Sequence, residues 1–484
     1  MLKRRLTLFA CAAAISLGAC STNPATGDQS FTAFMSPEDE KRIGAEQHPQ
    51  ILEEFGGAYD NPQLGAYIAT LGARLAAVSD RPDLNFTFTI LDSPVVNAFA
   101  LPGGYVYVSR GLLALANNEA EVAGVLGHEI AHVTARHSAE RYSRSVVVNL
   151  GAGILGAVTG QRAIADIASL GGGLYLRSYS RDNEFEADSL GLRYMTRLGY
   201  EPGAVADFLA NLRAETALQA RIRGSDADPD AFSLLSTHPR TLDRVREAQQ
   251  ATGSFEPGQV ERDTYLRQID GMLYGDDPDE GFIRDRSFIH PSLRFRFTAP
   301  PGFTLINSTD RVEGVSRNGM QMVFDGVRET SGASMQQYLS NSQWTRNIDL
   351  SGLQGFTVNG MDAATAGATV QTQRGRLGYR LIAIRADADR IYRFIFLGDP
   401  STLAANEEEL RRTTYSFERI SESEAATYQP DRLNVVQVQP GDTVDSLAAR
   451  MPEGPEKRAR FLVLNGLQDG DPLEPGMRVK IVGN

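Results

Sequence analysis

Glu119-Ala-Glu-Val-Ala-Gly-Val-Leu-Gly-His-Glu-Ile-Ala-His132 is the stretch on which the fold turns. Val122, Val125 and Leu126 recur at helical spacing and no proline interrupts them, so the segment predicts a buried helix. Residues four apart on a helix share a face. His128 and His132 can therefore present two imidazole nitrogens to one Zn²⁺, while Glu129 stands beside them as a general base for water. Those three residue types at that spacing imply metal-assisted peptide hydrolysis.

A catalytic zinc takes three protein ligands and keeps a fourth position open, so a third donor has to come from elsewhere. His137 follows five residues after His132. The metzincin arrangement needs a glycine and a histidine where this chain has Ala135 and Ser138, and fails on both counts. His137 then reads as a helix-end residue or a support for a ligand. The other candidate is Glu184, in Ser180-Arg-Asp-Asn-Glu-Phe-Glu-Ala-Asp188, which opens a second amphipathic segment running through Leu190, Leu192, Tyr194 and Met195. Glu184 and Asp188 share a face of that helix. Glu184 can reach a metal there, Asp188 can accept a hydrogen bond from the far nitrogen of a ligating histidine, and Glu186 points elsewhere. Acidic residues on a helix are also commonly just solvated, and spacing alone leaves both readings open.

The HEIAH and EFEAD segments, the upstream Asn97-Ala-Phe-Ala-Leu-Pro-Gly-Gly-Tyr-Val-Tyr-Val-Ser-Arg-Gly-Leu112 and the later Ser236-Thr-His-Pro239 together resemble peptidase family M48. This is the gluzincin group that includes HtpX and the CAAX prenyl proteases, and the likeness is greatest to its periplasmic BepA-like branch. It spans roughly residues 35 to 250. The resemblance implies a mainly α zincin domain with a small sheet over residues 36–255 and one Zn²⁺ per chain. It also implies His128, His132 and Glu184 as ligands, Glu129 as base, and His238 as a candidate fourth ligand or latency switch. BepA-like proteins carry tetratricopeptide repeats after the protease, whereas no thirty-four-residue helical repeat occurs in this sequence.

Tyr105-Val-Tyr-Val108, after Pro102-Gly-Gly104, alternates as a strand does. One reading makes it the edge strand that pairs with an extended substrate near the metal. An ordinary core strand fits the pattern equally well.

Lys3-Arg-Arg5 precedes an apolar run from Leu6 to Ala19 that ends Leu-Gly-Ala-Cys20, the order of a bacterial lipoprotein signal. This predicts a signal peptide over 1–19, acylation at Cys20 and a tether over 20–35. With Ser21 next, resemblance to bacterial sorting rules suggests the periplasmic face of the outer membrane. No later run reaches the roughly 20 apolar residues a membrane span needs. Val146 to Gly160, the most apolar stretch, reads as a helix or lid over the site. The net charge of −12, which becomes −15 without Lys3, Arg4 and Arg5, has no basic stripe to offset it and excludes a nucleic-acid partner.

A length of 484 residues with ordinary globular composition suggests about three domains. Asp276-Asp-Pro-Asp-Glu-Gly281 marks a polar linker, taken over 256–286. Strand patterns at Leu293–Phe297, Met320–Phe324, Tyr379–Ile384 and Ile391–Leu397, with a helix over Leu403–Arg412, predict an α+β domain over 287–422 without a catalytic constellation. Residues 432–484 read strand, helix, helix, strand. Pro440-Gly-Asp-Thr443 and Leu464-Asn-Gly-Leu467 there resemble a LysM module, which implies peptidoglycan as a partner. The chain as a whole reads as a lipid-anchored envelope endopeptidase acting on unfolded or misassembled envelope proteins. The alternatives are a chaperone or scaffold that keeps the zinc fold, and a cell-wall binding protein.

Overall fold

The computed structural model describes residues 21–146, 178–223, 256–346, 348–372, 375–452 and 456–483, together with His238, Arg244 and a few other single positions. The signal segment, Cys20 and nearly all of 146–160 lie outside the described residues. The chain divides into two compact units, Met1–Tyr274 with Arg432–Gly483, and Gly275–Asp431.

In the first unit, helices α1 (Pro37–Glu54) and α2 (Pro62–Ala77) precede a small sheet, and α3 (Arg110–Leu115) leads into α4 (Glu119–Thr134), the helix of the opening motif. Asn118 caps α4 by accepting from the Glu121 N–H at 2.9 Å, and nearly every residue along the helix is buried. Helix α5 (Arg181–Arg197) starts at a Ser180 cap, and α6 (Gly203–Arg223) follows. Glycines set how closely α4 and α5 cross. A Cβ on Gly191 would lie 2.7 Å from the His128 backbone nitrogen and 3.0 Å from the Gly127 carbonyl carbon. That contact brings the first turns of α5 opposite the two histidines.

A hairpin of β1 (Ser21–Thr22) and β2 (Gln29–Ser30) opens the described chain. The sheet that follows holds β3 (Thr87–Leu91), β4 (Ala98–Leu101) and β5 (Tyr105–Ser109) in the order β3-β5-β4. β5 is thus the central strand, parallel to β3 and antiparallel to β4, and its main-chain groups are committed on both sides. The edge-strand reading of Tyr105–Val108 is corrected on that ground, since alternation shows that a strand has two faces and not which neighbours it has.

Two further expectations change. Residues 21–35 are not a free tether, because Asn23, Ser30, Thr32 and Met35 are each less than 9% exposed. The stretch 256–286 is not simply a linker either. It contains α7 (Arg262–Ile269), whose Tyr265, Leu266 and Ile269 are fully buried at helical spacing, with the Tyr265 hydroxyl donating to the Leu113 carbonyl at 2.5 Å.

The second unit carries a seven-stranded antiparallel sheet. Its order is β12 (Ser351–Val358), β13 (Met361–Thr372), β14 (Gly375–Asp387), β15 (Arg390–Gly398), β11 (Gln321–Arg328), β10 (Arg311–Ser316), β9 (Phe303–Asn307). A four-stranded sheet of β16 (Glu418–Arg419), β8 (Phe295–Thr298), β7 (Ser287–His290) and β6 (Phe282–Arg284) shares a core of aromatic rings with it, among them Phe295, Phe297, Phe324 and Phe394. The single helix expected over Leu403–Arg412 is instead two, α8 (Pro400–Ala405) and α9 (Glu407–Ser416), broken at Asn406. Asn406 leaves helical geometry with φ −108° and ψ 10°, and its side chain donates to the Thr402 carbonyl at 2.8 Å, the competition with backbone bonding that makes Asn a poor interior residue.

After this unit the chain returns to the first one as β17 (Arg432–Gln437), α10 (Val444–Ala449), α11 (Lys457–Leu464) and β18 (Arg478–Gly483), with β17 and β18 antiparallel. Leu433, Phe461 and Val479 join the same core cluster as Leu113, Val122 and Phe208.

Candidate metal centre

α4 delivers His128 and His132, α5 delivers Glu184, and His238 arrives from the segment beyond α6. One donor atom from each lies within 4.8 Å of all the others, and all four residues are buried. His128 Nε2 is 3.0 Å from His132 Nε2 and 3.6 Å from Glu184 Oε2, and His132 Nε2 is 3.5 Å from Glu184 Oε1. His238 Nδ1 lies 3.2 Å from His128 Nε2 and 2.9 Å from Glu184 Oε1. Four donors bound tetrahedrally at ~2.0–2.1 Å stand ~3.3 Å from one another, so this spacing is that of a coordination sphere.

The outer contacts support the same fit. His128 Nδ1 is 2.8 Å from Asp188 Oδ1, and His132 Nδ1 is 2.8 Å from His137 Nδ1. With protons committed to those partners, the two Nε2 lone pairs face each other across 3.0 Å, an arrangement a shared cation explains. The donor set of imidazoles and a carboxylate suits a divalent transition-metal ion.

Arg244, which carries no motif in the sequence, closes the other side. Its Nε and Nη2 donate to Asp188 at 2.6 and 2.7 Å, and its Nη1 stands 2.9 Å from Glu184 Oε2. Tyr179 is the second residue the sequence did not reveal. Its ring stacks on His132 at 3.9 Å between centroids, and its hydroxyl pairs with Ser138 at 3.0 Å. An aromatic face on a ligand histidine restricts the ring plane.

Glu129 points into the site. Its Oε1 is 3.5 Å from His238 Nε2, and its Oε2 has no hydrogen-bond partner among the described residues. Burial raises the Glu129 pKa, with His238 and His128 opposing. Burial lowers that of His132, and the neighbouring histidines add to it. Burial alone would raise the Glu184 and Asp188 carboxyls, but His238 and Arg244 beside the first, and Arg244 and His128 beside the second, hold both below the usual range. Glu186 faces away from the donors, toward His137 and Asn23. A small cavity beside Glu129 and His128 has apolar walls from Val125, Val205, Phe208, Leu209 and Leu212.

Peptidase family M48 matches residues 62–252, the span that contains α2 to α6 and every residue of this centre. The chain carries an M48 peptidase domain. Curated relatives match shares of the chain of similar size. The beta-barrel assembly-enhancing protease of Yersinia pestis is 34% identical over 46% of this chain and 46% of its own length, and that of Escherichia coli is 31% identical over 43% of each. The mitochondrial metalloendopeptidase OMA1 of Schizosaccharomyces pombe is 32% identical over 48% of this chain and 65% of its own. The chain thus spans about half the length of the assembly-enhancing proteases it matches.

Proposed function

We propose that this protein is a zinc-dependent endopeptidase of the bacterial cell envelope that hydrolyses misfolded or unassembled periplasmic and outer-membrane proteins. The observation that carries this reading is the meeting of His128, His132 and Glu184 around one point with the Glu129 carboxylate beside it. A bound divalent cation supplies Lewis acidity to water and to a peptide carbonyl. The chain supplies the rest. Glu129, with a free buried oxygen and a pKa raised by burial, takes the proton from the attacking water and returns it to the leaving amine. Asp188 holds the tautomer of His128, and Arg244 neutralises the two carboxylates.

An extended segment is the substrate form the architecture favours. β4 lies at the sheet edge next to α4 and pairs only with β5 among the described strands, so its outer side can take a further strand by main-chain hydrogen bonds. Acylation at Cys20 would hold the domain to the membrane, and a LysM-like role for residues 432–483 would add affinity for peptidoglycan. No described helix is long and apolar enough to cross a membrane.

A second reading, a chaperone or scaffold with latent activity, is favoured by His238, which stands where a fourth ligand would. The test is cleavage of an unfolded protein such as casein by wild type, Glu129→Gln and His238→Ala. The endopeptidase reading expects turnover that Glu129→Gln abolishes and His238→Ala raises. Turnover that survives in Glu129→Gln refutes the base.

A further inference from the structure

The two histidines of α4 are supported differently. His128 meets a carboxylate directly, Asp188 at 2.8 Å, whereas His132 meets another imidazole, His137 Nδ1 at 2.8 Å. Next in line is Glu186, whose Oε2 lies 3.4 Å from His137 Nε2, within ion-pair range but without hydrogen-bond geometry, and that nitrogen has no hydrogen-bond partner among the described residues. Accepting on that basis, we propose that His137 and Glu186 are positioning residues for His132, forming a carboxylate–imidazole–imidazole relay that the N-terminal segment clamps in place. This rests on the metal-centre reading above.

The direction of the relay follows from donor and acceptor capacity. With Nε2 of His132 kept for the cation, its Nδ1–H donates to His137 Nδ1. His137 must then carry its proton on Nε2, the nitrogen on the Glu186 side of the ring. Each step sends negative character toward His132, fixing its tautomer and strengthening its Nε2 as a donor.

Backbone geometry shows that the placement is built. α4 ends at Thr134, and Arg136 takes a left-handed conformation, φ 62°, that turns the chain and sets His137 beneath His132. A non-glycine residue stays there only when its surroundings hold it. The Arg136 guanidinium is held by Glu40 of α1, Nε to Oε2 at 3.1 Å, and by the Met35 carbonyl, Nη2 at 2.8 Å. At the far end, Asn23 Nδ2 donates to Glu186 Oε1 at 2.5 Å. Residues 23 and 35, which the sequence left in a tether, thus fix both ends of the device.

The experiment is a Zn²⁺ competition titration of the full chain as wild type, His137→Ala, His137→Asn and Glu186→Gln, with thermal unfolding of each metal-free form. His137→Ala should bind zinc about 10–100-fold more weakly, the usual cost of removing a partner behind a ligand. Asn carries an acceptor where the Nδ1 of histidine sits, so His137→Asn should recover most of the affinity. Half-buried Glu186→Gln should lose several-fold without loss of stability. Equal affinity in wild type and a folded His137→Ala overturns the relay alone, as does an Asn variant no better than Ala. Should the Ala variant not fold, unchanged affinity in Glu186→Gln overturns it. A wild type that takes up no zinc overturns the metal reading and the relay with it.

Discussion

Replacing Lys480 by methionine tests how residues 432–483 are joined to the end of α3, just ahead of α4. Lys480 is fully buried on β18, and its ammonium donates to the carbonyls of Ala114, Leu115 and Ala116 at 2.7, 3.3 and 2.6 Å. Those carbonyls end α3 and have no intrahelical partner, so the lysine acts as a cap from a segment more than 360 residues away in sequence. Asn117 and Asn211 also donate to the Leu115 carbonyl, which keeps partners without the lysine. The Ala114 and Ala116 carbonyls lose theirs, at about 1–3 kcal/mol each. Methionine fills most of the same volume and removes the cost of burying an ammonium, which offsets part of that loss, so the net should be about 2–3 kcal/mol. In urea this moves the unfolding midpoint down by roughly 0.5–1 M, at a slope of about 3 kcal/mol per molar. Hydrogen exchange should also quicken at the α3–α4 junction, residues 114–121. An unchanged midpoint with unchanged exchange there would refute the reasoning and leave residues 432–483 as a separable appendage.

Three further outcomes are expected. His290 is buried and its pKa is pushed down to about 4, chiefly by desolvation, while its Nδ1 accepts from the Leu293 N–H at 3.3 Å. Its neutral form is therefore favoured on folding. That contribution is complete above the unfolded value near 6.5 and is lost as pH falls toward about 4, a span of roughly 2–3 kcal/mol; His290→Gln should flatten the melting temperature measured between pH 7 and pH 4.5. Gly191→Ala sets a methyl against the His128 and Gly127 backbone, which cannot yield, so α5 must shift outward. Calorimetry should show a loss of about 1–3 kcal/mol, and zinc affinity should fall with it. Arg244→Ala leaves Glu184 and Asp188 without their cation, at about 3–5 kcal/mol in the metal-free chain, and added zinc should restore part of this; a variant as stable as wild type without metal would count against the guanidinium's role.

Helix α4 was legible because its information is local. Periodicity and ligand spacing both fall within residues 119–132, and the face shared by Glu184 and Asp188 is equally local. What stayed hidden depends on partners far along the chain. No pattern within Tyr105–Val108 says that both sides of the strand are taken, and nothing around Arg244 marks it, since a lone arginine carries no periodicity. Residues 21–35 and 262–269 looked like connections because their anchors, Glu186 and Arg136 for one and the Leu113 carbonyl for the other, are distant in sequence. β13 escaped notice for a compositional reason: Met361–Thr372 is mostly Ala, Thr and Gly, which pack into a sheet through their neighbours rather than their own propensity.

The measurement that bears most directly on the account is the metal content of the purified chain beside that of Glu184→Ala, by elemental analysis after dialysis against micromolar zinc. One equivalent in the wild type and little or none in the variant is the predicted result. Equal metal in both, or none in either, would contradict a centre built from one turn of α4 and the first turn of α5.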